Sequence, residues 1–296
     1  MLTINQLDKQ IEQRIILEDI TFEQVPGEII GLVGRNGAGK STLLKCIASH
    51  YLLNGGQILI DGETIKTNLA LKAQIFYLDE DHLFFKNLSL KQIGQFYEAA
   101  YPQFDQTQMT RLLAEYQLAA NQRYHQLSKG MRGLFNIILA ISSHAQYLLL
   151  DEPFDGLDVI IRKNVIRLLL DQVSEHQLSL LITSHNLAEL ESLIDRTLIL
   201  KDHRIQFDYR LEGVRQNARK LQIVLKTNQV PTLFKESGRV LNISGRVMVV
   251  YFADYSDELA AQVAALDPVL CEALPITLED IFEANLTNEQ DYQVFV

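Results

Sequence analysis

The run Gly34-Arg35-Asn36-Gly37-Ala38-Gly39-Lys40-Ser41 constrains this chain more than any other feature. It fits the spacing G-x-x-x-x-G-K-[ST]. An apolar stretch at residues 29–33 precedes it, and a helical pattern runs from Lys40 to about residue 49. A strand must therefore pass into a helix through a tight glycine-rich loop. There the glycines let successive backbone N–H groups curl round a phosphate, and the helix N-terminus adds partial positive charge. Lys40 has the reach for the outer phosphates, and the Ser41 hydroxyl can hold Mg²⁺. The plain alternative is a glycine-rich turn with a chance lysine, and the flanking strand and helix argue against it.

The surrounding pattern is α/β. Residues 57–60, 75–78, 147–151, 179–183 and 196–200 read as strands, several apolar at nearly every position. That is the pattern of strands buried on both faces of a sheet with parallel members. Residues 21–33 read as two strands parted by Pro26-Gly27-Glu28. Between residues 89 and 143 only helices fit, over 89–101, 107–117 and 129–143, which suggests an inserted helical subdomain. After Tyr209 the composition changes. Strands at 221–226, 240–243, 247–252 and 269–272 interleave with helices near 231–235 and at 257–266, and a helix at 277–284 closes the chain. The order β-α-β-β-α-β is a ferredoxin-like pattern.

Composition narrows the partners. With 296 residues the chain has room for one large domain or two ordinary ones. A net charge of −10 argues against nucleic acid as principal partner. Cys46 and Cys271 have no ligand-like spacing, so neither a disulfide scaffold nor a zinc site is expected. No secretion signal or membrane span is apparent, and a cytosolic protein is expected.

Two further constellations carry chemistry. The apolar strand 147–150 delivers Asp151 and Glu152 at its C-terminal end, the usual binding edge of an α/β sheet. Asp151 would bind Mg²⁺ directly or through water, and Glu152 would polarise an attacking water as general base. A solvated acidic pair opening a turn at Pro153 is the alternative. The strand 178–183 ends in Ser184-His185, and His185 there is either a γ-phosphate contact or a surface residue.

In this order the motifs resemble the nucleotide-binding subunit of ATP-binding cassette (ABC) transporters, over about residues 2–208. The phosphate loop extends through Thr42. Glu80 stands where the family has its Q-loop Gln. Leu127-Ser128-Lys129-Gly130-Met131 resembles the LSGGQ signature, Asp155-Gly156-Leu157-Asp158 the D-loop, and His185 the switch histidine. The fold so implied is an α/β P-loop ABC ATPase domain over 1–208, a mixed sheet with a helical subdomain at about 88–145. A linker at 209–219 and a small C-terminal α+β domain over 220–296 would follow.

The resemblance implies an ATPase using ATP and Mg²⁺. Gly34, Asn36, Gly37, Ala38, Gly39, Lys40, Ser41 and Thr42 would hold nucleotide. Ser41, Glu80 and Asp151 would serve the metal, and Lys40, Glu152 and His185 catalysis. Two such subunits pair head to tail in this family, so Ser128 and Gly130 would touch ATP held by a second ATPase subunit, identical or paralogous. The pair would drive a membrane permease from the inner face of the cell membrane, with no nucleic-acid partner.

The chain departs from the family pattern in places. Lys129 and Met131 replace Gly and Gln of the signature, and Lys129 either adds charge near phosphate or faces solvent. Glu80 replaces Gln. Ile11 aligns with the aromatic that stacks on adenine and cannot stack. The aromatics Phe76, Tyr77, Phe84, Phe85, Phe96, Tyr97, Tyr101 and Phe104 form either subdomain core or, through Phe84 and Phe85, a groove for a permease helix. The segment Pro275-Ile276-Thr277-Leu278-Glu279-Asp280-Ile281-Phe282 resembles a motif near the end of bacterial exporter ATPases. It also reads as an ordinary helix capped by Thr277 with Asp280 in its first turn. Together with the extra domain it points to an exporter; the alternatives are an importer ATPase and a soluble ABC ATPase that serves as an assembly or regulatory factor without a membrane partner.

Overall fold

The computed structural model describes residues 1–78, 85–184 and 186–286. Glu80, Phe84 and His185 lie outside the described residues. The chain forms two compact units, one of Met1–Asn186 with Leu193–Asp208, the other of Leu187–Ser192 with the chain from Tyr209 onward.

The first unit holds two sheets. Strands β1 (Leu2–Ile11), β2 (Arg14–Gln24), β4 (Gly55–Ile60) and β5 (Glu63–Thr64) make an antiparallel sheet ordered β2-β1-β4-β5. Strands β3 (Ile29–Val33), β6 (Ile75–Leu78), β7 (Tyr147–Asp151), β8 (Ser179–Thr183), β9 (Arg196–Lys201) and β10 (Arg204–Arg210) make a second, ordered β10-β9-β3-β8-β7-β6. The pairs β9–β3, β3–β8, β8–β7 and β7–β6 are parallel. Helix α1 (Lys40–Ile47) buries Leu43, Leu44, Cys46 and Ile47 in one core with Leu2, Ile4 and Leu7 of β1 and Leu149, Leu181 and Leu198 of the parallel strands. Both cysteines are free thiols.

The strand β1 and the first half of β2 escape sequence reading because bulges break their alternation. Leu2, Ile4 and Leu7 all face the core, and the pairing register slips between Ile4 and Leu7, where Gln6 has φ 49°. An inserted residue resets which side chains face inward, so a period-two pattern is lost.

The helices of the inserted segment are α3 (Leu90–Ala100), α4 (Gln106–Glu115) and α5 (Lys129–Ser142), after the single-turn α2 (Leu69–Lys72). Ser89, Asp105 and Ser128 cap their N-termini by accepting backbone N–H groups. A long helix, α6 (Val159–His176), follows β7 and is capped by Asp158.

The second unit takes in α7 (Leu187–Glu191), then α8 (Leu211–Asn217), β11 (Arg219–Val224), α9 (Thr232–Glu236), β12 (Arg239–Ser244), β13 (Val247–Phe252), α10 (Asp257–Ala265), β14 (Leu270–Leu274) and α11 (Leu278–Leu286). The stretch expected as a linker at 209–219 is therefore structured, holding the end of β10, α8 and the start of β11. The sheet order β12-β13-β11-β14, all antiparallel, is the ferredoxin-like arrangement expected from the element order. Leu221, Ile223, Phe234, Met248, Val250 and Phe252 fill its core.

In α11, Asp280 accepts Thr277 N at 2.8 Å and Thr277 Oγ1 at 2.8 Å, and Lys220 Nζ reaches its two oxygens at 2.7 and 2.9 Å. The backbone N–H of Leu278 donates to Glu191 Oε2 of α7 at 3.1 Å. Thus α7, reached directly from the segment carrying position 185, packs as an element of the C-terminal unit.

Candidate nucleotide site

The parallel sheet places the ends of β3, β7 and β8 side by side, since β8 lies between the other two. From β3 the chain enters the Gly34–Gly39 loop. Gly39 has φ 109°, and a Cβ there would press on Ile16 O at 3.1 Å. A Cβ on Gly34 would lie 2.6 Å from Leu200 O. Neither position admits a side chain, so the loop can lie close against β2 and β9. Ala38 N donates to Arg35 O at 3.1 Å, tightening the turn, while Asn36, Gly37 and Ser41 remain exposed. Thr42 is half-buried in α1.

Lys40 is buried, and its ammonium donates to Gly34 O at 2.8 Å and Arg35 O at 3.4 Å. Burial pulls its pKa below the ordinary lysine value, opposed in part by the nearby charges of Glu152 and Asp151. The structure thus brings Lys40 within electrostatic reach of both acidic residues, although they come from distant parts of the chain.

Asp151 and Thr183 are register partners at the ends of β7 and β8. Thr183 Oγ1 donates to Asp151 Oδ1 at 2.7 Å and accepts Glu152 N at 2.9 Å. Tyr77 OH donates to Asp151 Oδ2 at 3.3 Å. Glu152 itself has a left-handed backbone, φ 49°. The acidic pair is a built feature of the sheet edge rather than a solvated turn. Sequence reading missed Thr183 and Tyr77. The available signal was a hydroxyl in the last two residues of each of two mainly apolar strands, β6 and β8.

The signature-like residues sit at the start of α5. Ser128 Oγ accepts Met131 N at 3.2 Å, and Gly130 is buried. The Lys129 side chain is exposed to solvent, and its ammonium pairs with Asp155 of the D-loop-like turn at 2.5 Å. A cleft of about 380 Å³ between α5 and the end of β7 is lined by Lys129, Arg132, Asn136, Asp151, Glu152 and Asp155, among others. The aromatics divide. Phe76, Tyr77 and Phe104 are buried, while Phe96 is 56% exposed and contacts Phe85 edge-on at 5.3 Å. Ile11 ends β1 at the hairpin turn, partly exposed.

Comparison with known proteins agrees with this geometry. Residues 17–155 match the family described as ABC transporter. The chain is similar to the ABC transporter ATP-binding protein YtrB of Bacillus subtilis, 31% identical over 96% of this chain and 97% of that one. It is also similar to the aliphatic sulfonates import ATP-binding protein SsuB of Cupriavidus necator, 30% identical over 74% of this chain and 72% of that protein. Among solved structures, that of an ATP-binding subunit of an ABC transporter superposes with TM-score 0.66 at 27% identity, over 73% of this chain and 92% of the other. A P-loop between β3 and α1, two acidic residues at the end of β7 and a full-length relative converge, and the chain belongs to the ATP-binding, ATP-hydrolysing subunits of ABC transporters.

Proposed function

We propose that this chain binds Mg·ATP in the Gly34–Thr42 loop and powers a separate membrane permease, as an exporter, through closing and opening of an ATPase pair. The observation that carries the nucleotide reading is the glycine-rich loop between β3 and α1, with Lys40 Nζ held on the Gly34 carbonyl at 2.8 Å. Lys40 would exchange its loop carbonyls for phosphate oxygens. Glu152 would orient water and accept its proton, with His185 contacting the γ-phosphate.

The donor set suits Mg²⁺, a hard cation that takes few protein oxygens and keeps water and phosphate ligands. The Asp151 carboxylate, oriented by Thr183 and Tyr77, and the exposed Ser41 hydroxyl would hold it, with Glu80 adding an oxygen. When bound, the metal neutralises charge on the transferring phosphate.

The pairing supports itself on Ser128 and Gly130 at the N-terminus of α5, where they would cap ATP on a second ATPase subunit. No helix of the described residues is long and apolar enough to cross a membrane. The exporter reading rests on the ferredoxin-like unit and the 275–282 segment that ends in α11. Likeness to a sulfonate import protein favours a second reading, an importer.

Co-expression with the co-encoded membrane protein tests the assignment. The expected result is a co-purified complex whose Glu152→Gln form dimerises in ATP by light scattering. ATP-driven efflux from cells against uptake separates export from import. A Glu152→Gln chain that stays monomeric beside every co-encoded ATPase and permease would exclude the paired mechanism.

A further inference from the structure

We propose that Thr183 is a positioning residue for ATP hydrolysis, holding the strained backbone of Glu152 and the carboxylate of Asp151 through one hydroxyl. The inference rests on the reading of Glu152 as general base.

Three observations carry it. First, Thr183 is fully buried at the end of a strand whose preceding residues Leu180, Leu181 and Ile182 are also fully buried. A hydroxyl in that setting is costly unless both its donor and acceptor capacities are used, and a valine of the same shape would suit the packing. Second, both capacities go to the acidic pair. The hydroxyl hydrogen goes to Asp151 Oδ1, and its oxygen accepts the backbone N–H of Glu152. In a continuing parallel ladder the strand beside β7 would offer backbone carbonyls to that edge. Here the chain turns away after Asp151, and a side chain takes over the N–H that follows it.

Third, Glu152 has φ 49°, a left-handed conformation that residues with a Cβ adopt only when the surroundings impose it. Its carbonyl accepts Asp155 N at 3.1 Å, so the residue is held at both backbone ends, by Thr183 on one side and the Asp155 turn on the other. The direction of its carboxylate follows from that backbone. Without the hydroxyl, Glu152 can relax toward an ordinary conformation and carry its carboxylate away from the water it orients.

Steady-state ATP hydrolysis and fluorescent-nucleotide binding, the latter in EDTA as well as in Mg²⁺, test this on the full chain with its transport partners. Thr183→Val should lower kcat by about 10–100-fold, the usual effect of losing a partner that orients an active-site group. Nucleotide affinity in EDTA should stay within about threefold, because the phosphate loop is untouched. Thr183→Ser, which keeps the hydroxyl, should restore turnover to within about threefold of wild type. In a Glu152→Gln background the further loss from Thr183→Val should be smaller than in wild type, since the share that passes through Glu152 is already gone and only the share through Asp151 remains. Near wild-type turnover in Thr183→Val, with Glu152→Gln inactive, overturns the positioning role and leaves the base assignment intact. An active Glu152→Gln chain instead overturns the base assignment. If the valine variant does not fold, the serine variant decides, and turnover below about a tenth of wild type overturns the proposal.

Discussion

Replacing Asp280 by alanine should destabilise the C-terminal unit selectively. Asp280 is 7% exposed and receives Lys220 Nζ at both oxygens, Thr277 N and Thr277 Oγ1. Alanine removes these bonds and leaves the Lys220 ammonium, whose side chain is 17% exposed, without its carboxylate. Breaking a buried pair from one side typically costs about 3–5 kcal/mol, because the remaining charge stays desolvated. Partial exposure of Lys220 and the nearby Glu283 carboxylate reduce that, so about 3 kcal/mol is expected. Asp280→Asn keeps an acceptor for Thr277 and should cost roughly half as much. The chain has no tryptophan, so urea unfolding is best followed by tyrosine fluorescence and circular dichroism. With a slope of about 1.5 kcal/mol/M, the transition of the C-terminal unit should move down by about 2 M. The transition of the nucleotide-binding unit should move far less. A shift under about 0.5 M, or an equal shift in both transitions, would refute the account of Asp280 as a buried ion-pair partner and helix cap.

Other expectations are simpler to state. Glu152→Gln should retain ATP binding and lose about 10²–10⁴-fold in turnover, the range for removing a general base, and near wild-type hydrolysis would void the assignment. Lys40→Met should weaken ATP binding in calorimetry by removing a charge-assisted phosphate contact. The same change should raise the melting temperature of the nucleotide-free chain at neutral pH. The folded-state pKa of Lys40 is lowered by burial, so below that value the charged form carries a penalty absent from the unfolded chain. That penalty fades as pH rises toward the unfolded value of about 10.4, and the advantage of methionine should fade with it. Because Ile11 cannot stack on a base, GTP should compete within about tenfold of ATP, and a preference of several hundredfold would mean that another aromatic supplies the platform.

What could be read from the amino-acid sequence was local. The Gly34–Ser41 loop carries its own spacing, the strand ending in Asp151-Glu152 its own apolar run, and the last unit the turn and periodicity signals of β-α-β-β-α-β. What escaped depended on pairing between distant segments. The partnership of Thr183 with Asp151 and Glu152 exists only because β8 lies in register beside β7. The bulge at Gln6 hid β1, since its apolar side chains share a face without sharing a period. The partner of the exposed Lys129 is not legible either, because only the turn after Glu152 brings Asp155 to it.

The placement of α7 bears on any attempt to take the molecule apart. A cut after residue 208 looks clean along the chain, yet it leaves Leu187–Ser192 behind as an orphan of the unit removed. Leu190, fully buried in the intact chain, then loses the helix that packs on α7, and Glu191 loses the Leu278 N–H it accepts. A helix of five residues has little stability of its own. A phenotype of such a truncation would mix the absence of the accessory unit with the fraying of the stretch that leads away from position 185. Grafting this unit between relatives accordingly requires two transplanted segments, residues 187–192 and the chain from 209 onward, so that the helix travels with its partner.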